Sequence, residues 1–462
     1  MMFRSDAHRS TVETAKGLEG PFAVGVLALH DSAIFARFYA AGNKGRTCLP
    51  QHPQHDSAMA SALPIHRDAQ FRRLWAVGML VSLVRWLEIL AFGVFTYELT
   101  QSAFWVASLM MLRMLPLALF GLAFGALAAR FSRRTSLLVS QGLLCVTTLA
   151  LLVISSMGAI EVWHLAVASF VNGAVWAGDM SMRRSLMGDI AGPTRMAHAM
   201  SLDAVAVNGC RLVGPGLGGL LLAHGGLPAV FLCGVLLYVL VLVFLAGLAD
   251  MPAAVAPRKT ALRSLLIGGF QAARDSPRLL ATLWITVLFN LFAWPVLSMV
   301  PVIGQERLQL STEGIGLLAS MDGVGSLIGA IVLTTLAGRF RQGHVYAGSV
   351  LFFLAMQLVF AWSALPIVTG AALLALGFAQ SGFAIMQSTL VYVAAPLDRR
   401  YEAMGLLTMC IGVAPLGFLA VGWLAEWLGA PLAAMICAMC GFISVALSWP
   451  LWRACLVQHT DS

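Results

Sequence analysis

Charge is what this chain has least of. Of its 462 residues only 11% are Asp, Glu, Lys or Arg, against roughly 25% in soluble domains. So few charges cannot cover a surface that faces water on all sides, which excludes an ordinary soluble fold. Lysine is nearly missing: Lys16, Lys44 and Lys259 are the whole supply, and none follows a glycine loop of the kind that cradles nucleotide phosphates. H-E-x-x-H and G-x-S-x-G are absent too. ATP-driven pumping, metalloprotease and serine-hydrolase chemistry therefore lack their residues, and no enzyme, cofactor or metal is expected. The eight cysteines make no framework, since seven sit in apolar runs and Cys48 in the leader. Cys437 and Cys440 are three apart without histidines nearby and read as small packing residues.

What the chain has is apolar length: 59% of it is hydrophobic. A helix needs about 20 apolar residues to span a bilayer. From Phe71 on, about twelve such spans follow one another, at 71–97, 103–129, 135–157, 161–182, 200–223, 227–249, 278–300, 314–338, 345–363, 366–391, 403–425 and 430–454. The loop cations then alternate. Arg72, Arg73, Arg133, Arg134, Arg183, Arg195, Arg258, Arg274, Arg341, Arg399 and Arg453 share one side with their neighbours, and Arg307 alone takes the other. By the positive-inside rule the first side is cytoplasmic, which predicts an even number of spans with both termini inside. The net charge of +8 resides in these short loops, so nucleic acid is not an expected partner.

The chain divides on composition. Residues 1–66 hold two of the three lysines and half the histidines. They read as a disordered extension or an over-long start with Met59 as initiator, and are expected to be dispensable. Residues 67–249 and 278–454 are nearly equal six-span halves. Residues 250–277 are a linker carrying an amphipathic segment, Ala261 to Arg274, and 455–462 are a tail. The halves echo each other: Ala129-Arg-Phe-Ser-Arg133 recurs as Gly338-Arg-Phe-Arg341, and Gly226-Leu-Pro228 as Gly429-Ala-Pro431. Parallel duplication of this kind builds transporters from two six-helix halves.

Two motifs carry a resemblance. Gly121 to Arg134 reads GLAFGALAARFSRR, with glycines four apart on an apolar helix and a basic turn after it. Gly125, Arg130, Arg133 and Arg134 match the loop between helices 2 and 3 of the major facilitator superfamily, and the segment resembles it. Ala129 and Ser132 stand where that family has an aspartate and a second glycine. In the fifth span, Arg211-Leu-Val-Gly214-Pro215-Gly216-Leu-Gly218-Gly219 resembles the glycine-proline motif of antiporters in the same superfamily. With Tyr97-Glu98-Leu99-Thr100, it makes residues 70–454 similar to the exporter branch that includes enterobactin-exporter-like proteins. The resemblance implies an all-α integral membrane protein of the major facilitator fold, exporting a small organic molecule against proton entry. A monomer is expected, in the cytoplasmic (inner) membrane. A passive facilitator, an importer or a non-transporting membrane scaffold remain alternatives, since fold does not set direction.

An ionisable side chain in the bilayer costs at least about 2.5 kcal/mol and needs a reason. Arg85 and Glu88 lie in the first span, Arg113 in the second, Asp179 towards the inner end of the fourth, Asp203 and Arg211 in the fifth, Asp322 in the eighth. Spans three, six, nine and twelve carry no charge and are expected to face lipid, although Gln141 and Gln357 break the pattern. The spacing of Glu88 from Arg85 makes Glu88 the first candidate for proton carrier, with Asp322 in reserve. Arg85, Trp86, Arg113, Asn172, Trp176, Asn290, Gln380 and Gln387 are the candidate substrate-cavity residues. The candidate gating set is Gly121, Gly125, Arg130, Arg133, Arg134, Asp179, Arg183, Asp203, Arg211, Gly214, Pro215, Gly218, Gly219 and Glu402. Within it, Glu402 is expected to replace the missing loop aspartate by pairing with Arg130 or Arg133 in the outward-facing state.

Overall fold

A computed structural model describes residues 65–128, 132–249, 262–335, 341–396 and 399–456. The expected leader, Arg130, Arg339, the start of the linker and the tail beyond 456 lie outside them. Within Pro64–Ser462, a single compact unit, the described residues are helical with no strand. This is the arrangement that leaves no backbone polar group unpaired in lipid.

Twelve long helical segments run in sequence, and their bounds fall within a few residues of the expected spans except where helices run on past the bilayer. We label them α1 (Ala69–Thr100), α2 (Ala103–Ala128), α3 (Arg133–Ser156), α4 (162–191), α5 (193–225), α6 (227–246), α7 (Pro277–Glu306), α8 (Thr312–Thr335), α9 (Gln342–Trp362), α10 (Pro366–Ala394), α11 (400–428) and α12 (Ala430–Leu447). Among the described residues nine stretches are apolar and long enough to cross a membrane outright, α5 and α6 being counted as one, Thr194–Ala246. Helix starts follow their sequence signals: Asp68 accepts from the backbone N–H of Gln70 (2.9 Å), and Ser276 accepts from that of Leu279 (3.3 Å), as capping side chains do.

One turn recurs in the two halves of the sequence. Gly226 and Gly429 both adopt positive φ, 62° and 81°, a conformation open to glycine and costly for other residues. Each precedes a helix whose first turn holds a proline, Pro228 or Pro431. The same three-residue phrase thus makes the same turn before α6 and before α12.

The expected outward-facing surface is clear for α3. The apolar window of α3 is 28% buried, against 72% for α1 and 67% for α7, and Val139, Leu143, Val146 and Val153 of α3 point outward. The two amides that broke the rule are turned inward and 0% exposed. Gln141 donates to Asp179 Oδ1 (2.9 Å), and Gln357 to the carbonyls of Phe292 (3.2 Å) and Ala434 (3.0 Å). Gln357 meets α7 where it is irregular: Phe289–Ala293 form a π-turn and Trp294–Met299 a 3-10 segment, with Pro295 and Pro301 withholding N–H groups. A side-chain amide against a freed carbonyl restores the hydrogen bond that such a break loses. The amphipathic linker segment is a helix, Leu262–Asp275.

Candidate functional site

Helix α5 is the hinge pin of the arrangement, because its glycines face two ways. A Cβ at Gly214 would meet Trp86 Cβ at 2.5 Å and one at Gly218 the Leu87 carbonyl oxygen at 2.8 Å, so this face lies on α1. On the other face, a Cβ at Gly219 would meet the Thr312 carbonyl at 2.8 Å, and Gly316 faces the Pro215 carbonyl at 2.7 Å. The expected absence of side-chain bulk is thereby explained: α5 touches α1 and α8 backbone to backbone. The surroundings of Gly121 and Gly125 lie outside the described side chains.

Contacts between the first six helices and the last six gather at the end where the loops carry few arginines. Tyr97 donates to Glu306, and Glu426 of α11 accepts from Ser102 Oγ (2.8 Å) and the Phe104 N–H (3.2 Å), capping α2 from across the seam. Ala107 packs on Gly422 and Ile315 joins the apolar cluster of Leu87, Leu109 and Leu222. At the arginine-rich end the contacts among the described residues run within each set. Arg183 pairs with Asp203, and Trp75 Nε1 donates to the Leu202 carbonyl (3.0 Å). In the last six, Ser276 Oγ donates to the Ala394 carbonyl (3.0 Å), and the linker helix lies on Glu402 through Gly268 and Gly269. The structure is closed at the arginine-poor end.

Midway along the seam sits a cross-set ion pair. Arg211 of α5 donates Nε to Asp322 Oδ2 of α8 (2.6 Å), reaches Gln380 of α10, and lies over the Trp86 ring with Cζ 5.1 Å from its centroid. Ser326 Oγ of α8 donates to Asn208 Oδ1 of α5 (2.9 Å) and Ser320 Oγ accepts from the Gly216 N–H (3.0 Å). Asp322, Arg211, Trp86 and Gln380 are therefore one cluster, although the sequence assigned them separate tasks.

Glu88 lies deeper, inside the first six helices and 1% exposed. Its Oε1 accepts from Thr148 Oγ1 (3.1 Å), and Oε2 has no hydrogen-bond partner among the described residues. Arg113, 3% exposed, and Arg85 are the cations around it. Arg85, one helix turn away, stacks over Trp176 with its Cζ 5.3 Å from the ring centroid. Asn172 sits beside Glu88 and spends a donor on the Ala168 carbonyl (3.1 Å).

The remaining amides serve packing. Asn290 donates to the Thr286 carbonyl (2.8 Å) and Gln387 to Thr286 Oγ1 (3.1 Å), beneath the stack of Phe289 on Phe383 at 3.8 Å. Arg133 is paired with Asp189, at the end of α4, and Arg134 donates to the Ala246 carbonyl (2.7 Å). In this conformation Glu402 is thus not the partner of Arg133. The sequence reading passed over Asp189, Glu306 and Glu426 because each lies at a helix end, where carboxylates are commonplace. Asp189 is 46% exposed, so Asp189→Asn is expected to change stability by no more than about 1 kcal/mol, read as a small shift in thermal midpoint.

Comparison with known proteins agrees with this geometry. A sequence model of the Major Facilitator Superfamily matches residues 74–414. The uncharacterized MFS-type transporter YfiS of Bacillus subtilis (strain 168) is 27% identical over 404 residues, 83% of this chain and 93% of YfiS. The staphyloferrin A transporter of Staphylococcus aureus (strain NCTC 8325 / PS 47) is 21% identical over 276 residues, 58% of this chain and 67% of that protein. Among solved structures, a bacterial homolog of the human lysosomal transporter Spinster, inward-facing and unoccupied, shares the fold with a TM-score of 0.65 and 15% identity. The match covers 84% of this chain and 98% of that one.

Proposed function

The chain belongs to the major facilitator superfamily, and from that premise we propose that it is a proton-coupled exporter of a small organic molecule, of the branch resembling enterobactin exporters. It works as a monomer in the inner membrane by alternating access. With the arginine-rich end cytoplasmic, closure of the opposite end makes the present conformation the inward-facing one. In it, the substrate enters along the seam between the first and last six helices, where Arg211, Asp322 and Trp86 stand.

The observation that carries the proton-coupled reading is Glu88. A carboxylate 1% exposed in the middle of α1, with one oxygen unpartnered among the described residues, is too costly to keep for packing alone. Arg113 compensates its charge when the carboxyl is ionised; a proton on Oε2 does so when the helices shift and separate the two. One proton is thereby moved per change of face. The glycine faces of α5 supply the surface on which α8 rocks.

Glu88→Gln keeps the shape and the Thr148 contact but removes the proton site. In proteoliposomes the variant is expected to lose accumulation driven by a pH gradient, by at least tenfold, while substrate counterflow persists. Accumulation with unaltered pH dependence would assign the carrier elsewhere, to Asp322 first. Absence of any flux, coupled or downhill, in the wild type across a broad substrate screen would instead support a membrane scaffold.

A further inference from the structure

A crevice lies wholly within the first six helices, one turn from Glu88 towards the arginine-rich end. Arg85 of α1, Gln141 of α3, Asn172, Trp176 and Asp179 of α4, and Tyr238 of α6 line it. Its walls are polar where bundle cores are usually apolar, and it has room for about one water molecule. That size excludes an organic substrate. The polar atoms around it are open in a specific way. Gln141, 0% exposed, spends its amide N–H on Asp179 and leaves Oε1 without a hydrogen-bond partner among the described residues. The amide cannot be turned round, since Oε1 would then face the carboxylate. Tyr238, 1% exposed, brings its side chain to the same crevice from α6. Asp179 Oδ2 lies 4.0 Å from Arg183 Nε, short of a hydrogen bond.

These groups form a column. Gly234 of α6 lies under Glu88, its Cβ position 3.8 Å from Oε1. Tyr238 is one turn further along the same helix, electrostatically within reach of both Glu88 and Asp179. Asp179 continues to Arg183, which pairs with Asp203. The cations facing the column are Arg85 from α1, Arg113 from α2, and Arg183 and Arg184 from α4; the acids are Glu88, Asp179 and Asp203.

We propose that the crevice is a water site through which Glu88 exchanges its proton with the arginine-rich end, so that proton and substrate travel by different routes. The proposal rests on Glu88 as carrier. In the transfer, the Glu88 carboxyl turns from Thr148 onto the Tyr238 hydroxyl and loses its O–H proton to that oxygen as Tyr238 passes its own to the water, and the water gives one to Asp179. Glu88 is left ionised, Tyr238 and the water are unchanged, and Asp179 is neutral. Gln141 Oε1 holds the water by accepting its second hydrogen. The substrate seam is separated from the crevice by Trp176, which packs on the other side with Met114, Phe418 and Trp294.

Tyr238→Phe removes one oxygen and little else, and Gln141→Leu removes the acceptor that holds the water. Each, reconstituted as the full chain, is expected to slow pH-gradient-driven transport at least tenfold with counterflow like the wild type; Tyr238→Phe keeps the thermal midpoint, whereas Gln141→Leu lowers it because buried Asp179 loses its amide donor. The wild type should show a solvent deuterium isotope effect on the driven rate that the slowed variants enlarge. Driven rates equal to the wild type in Tyr238→Phe would overturn the route. Glu88→Gln is measured alongside: if it uncouples while Tyr238→Phe does not, the route alone is wrong. If Glu88→Gln remains coupled, the carrier assignment and the route fall together.

Discussion

Asp322→Ala is expected to abolish folded, transport-competent protein. The substitution strands the Arg211 guanidinium, 9% exposed, in the middle of the α5–α8 seam. What remains to it is one amide oxygen of Gln380 and the face of Trp86. Removing one partner of a buried ion pair costs about 3–5 kcal/mol, a large share of the roughly 5–15 kcal/mol margin of a typical fold. The cost arises from the uncompensated charge and not from a lost attraction, which gives the prediction a second arm. Removing both charges in Arg211→Gln/Asp322→Asn should restore folded yield to near the wild type, because two amides of similar size can satisfy each other. Monodispersity and thermal midpoint in detergent measure this. A single Asp322→Ala that melts within a degree or two of the wild type would show that Arg211 finds another partner. The double variant also separates folding from transport: if it is folded yet inactive, the charges themselves act in the cycle.

The chain's architecture was legible because lipid makes sequence explicit. Spans had to be apolar, loop arginines had to alternate, and the glycine-x-proline turns fell where Gly226 and Gly429 adopt positive φ. The site was legible in its members but not in their pairing. Arg85 and Glu88 are three residues apart, and that spacing placed them on one helix face without naming their partners. Packing against neighbouring helices gave Glu88 to Thr148 and Arg85 to Trp176. Arg211 and Asp322 are 111 positions apart, and no local pattern could join them. Gln141 looked like an exception on a lipid-facing helix, yet α3 has an inner face too, and a single amide there is enough to hold Asp179. The irregular stretch of α7 was also hidden, since prolines mark where a helix breaks but not that Gln357 repairs it.

Gly219→Leu is expected to open the closed end. At Gly219 even a Cβ would lie 2.8 Å from the Thr312 carbonyl and 3.0 Å from Gly316 Cα. Both neighbours are backbone, so no side chain can swing away, and α5 and α8 must part by roughly the thickness of the new side chain. The seam there joins the first six helices to the last six, so its loss penalises this conformation relative to one closed at the other end. A differential penalty of about 1.4 kcal/mol shifts the balance of the two tenfold. A cysteine at Ser320, in a background cleared of native cysteines, reports on the seam because Ser320 Oγ accepts from the Gly216 N–H beside it. With Gly219→Leu its reaction with a membrane-impermeant thiol reagent from the arginine-poor side should rise at least tenfold. Gly218→Ala is the control: it crowds Leu87 within the first six helices, and should lower stability without changing which side the cysteine is reached from. If Gly219→Leu folds and the cysteine reacts as before from both sides, the α5–α8 glycine contact does not govern the closed end. Closure would then rest on the polar contacts of Glu306 and Glu426, and removing those two carboxylates should open the end that the glycine change left shut.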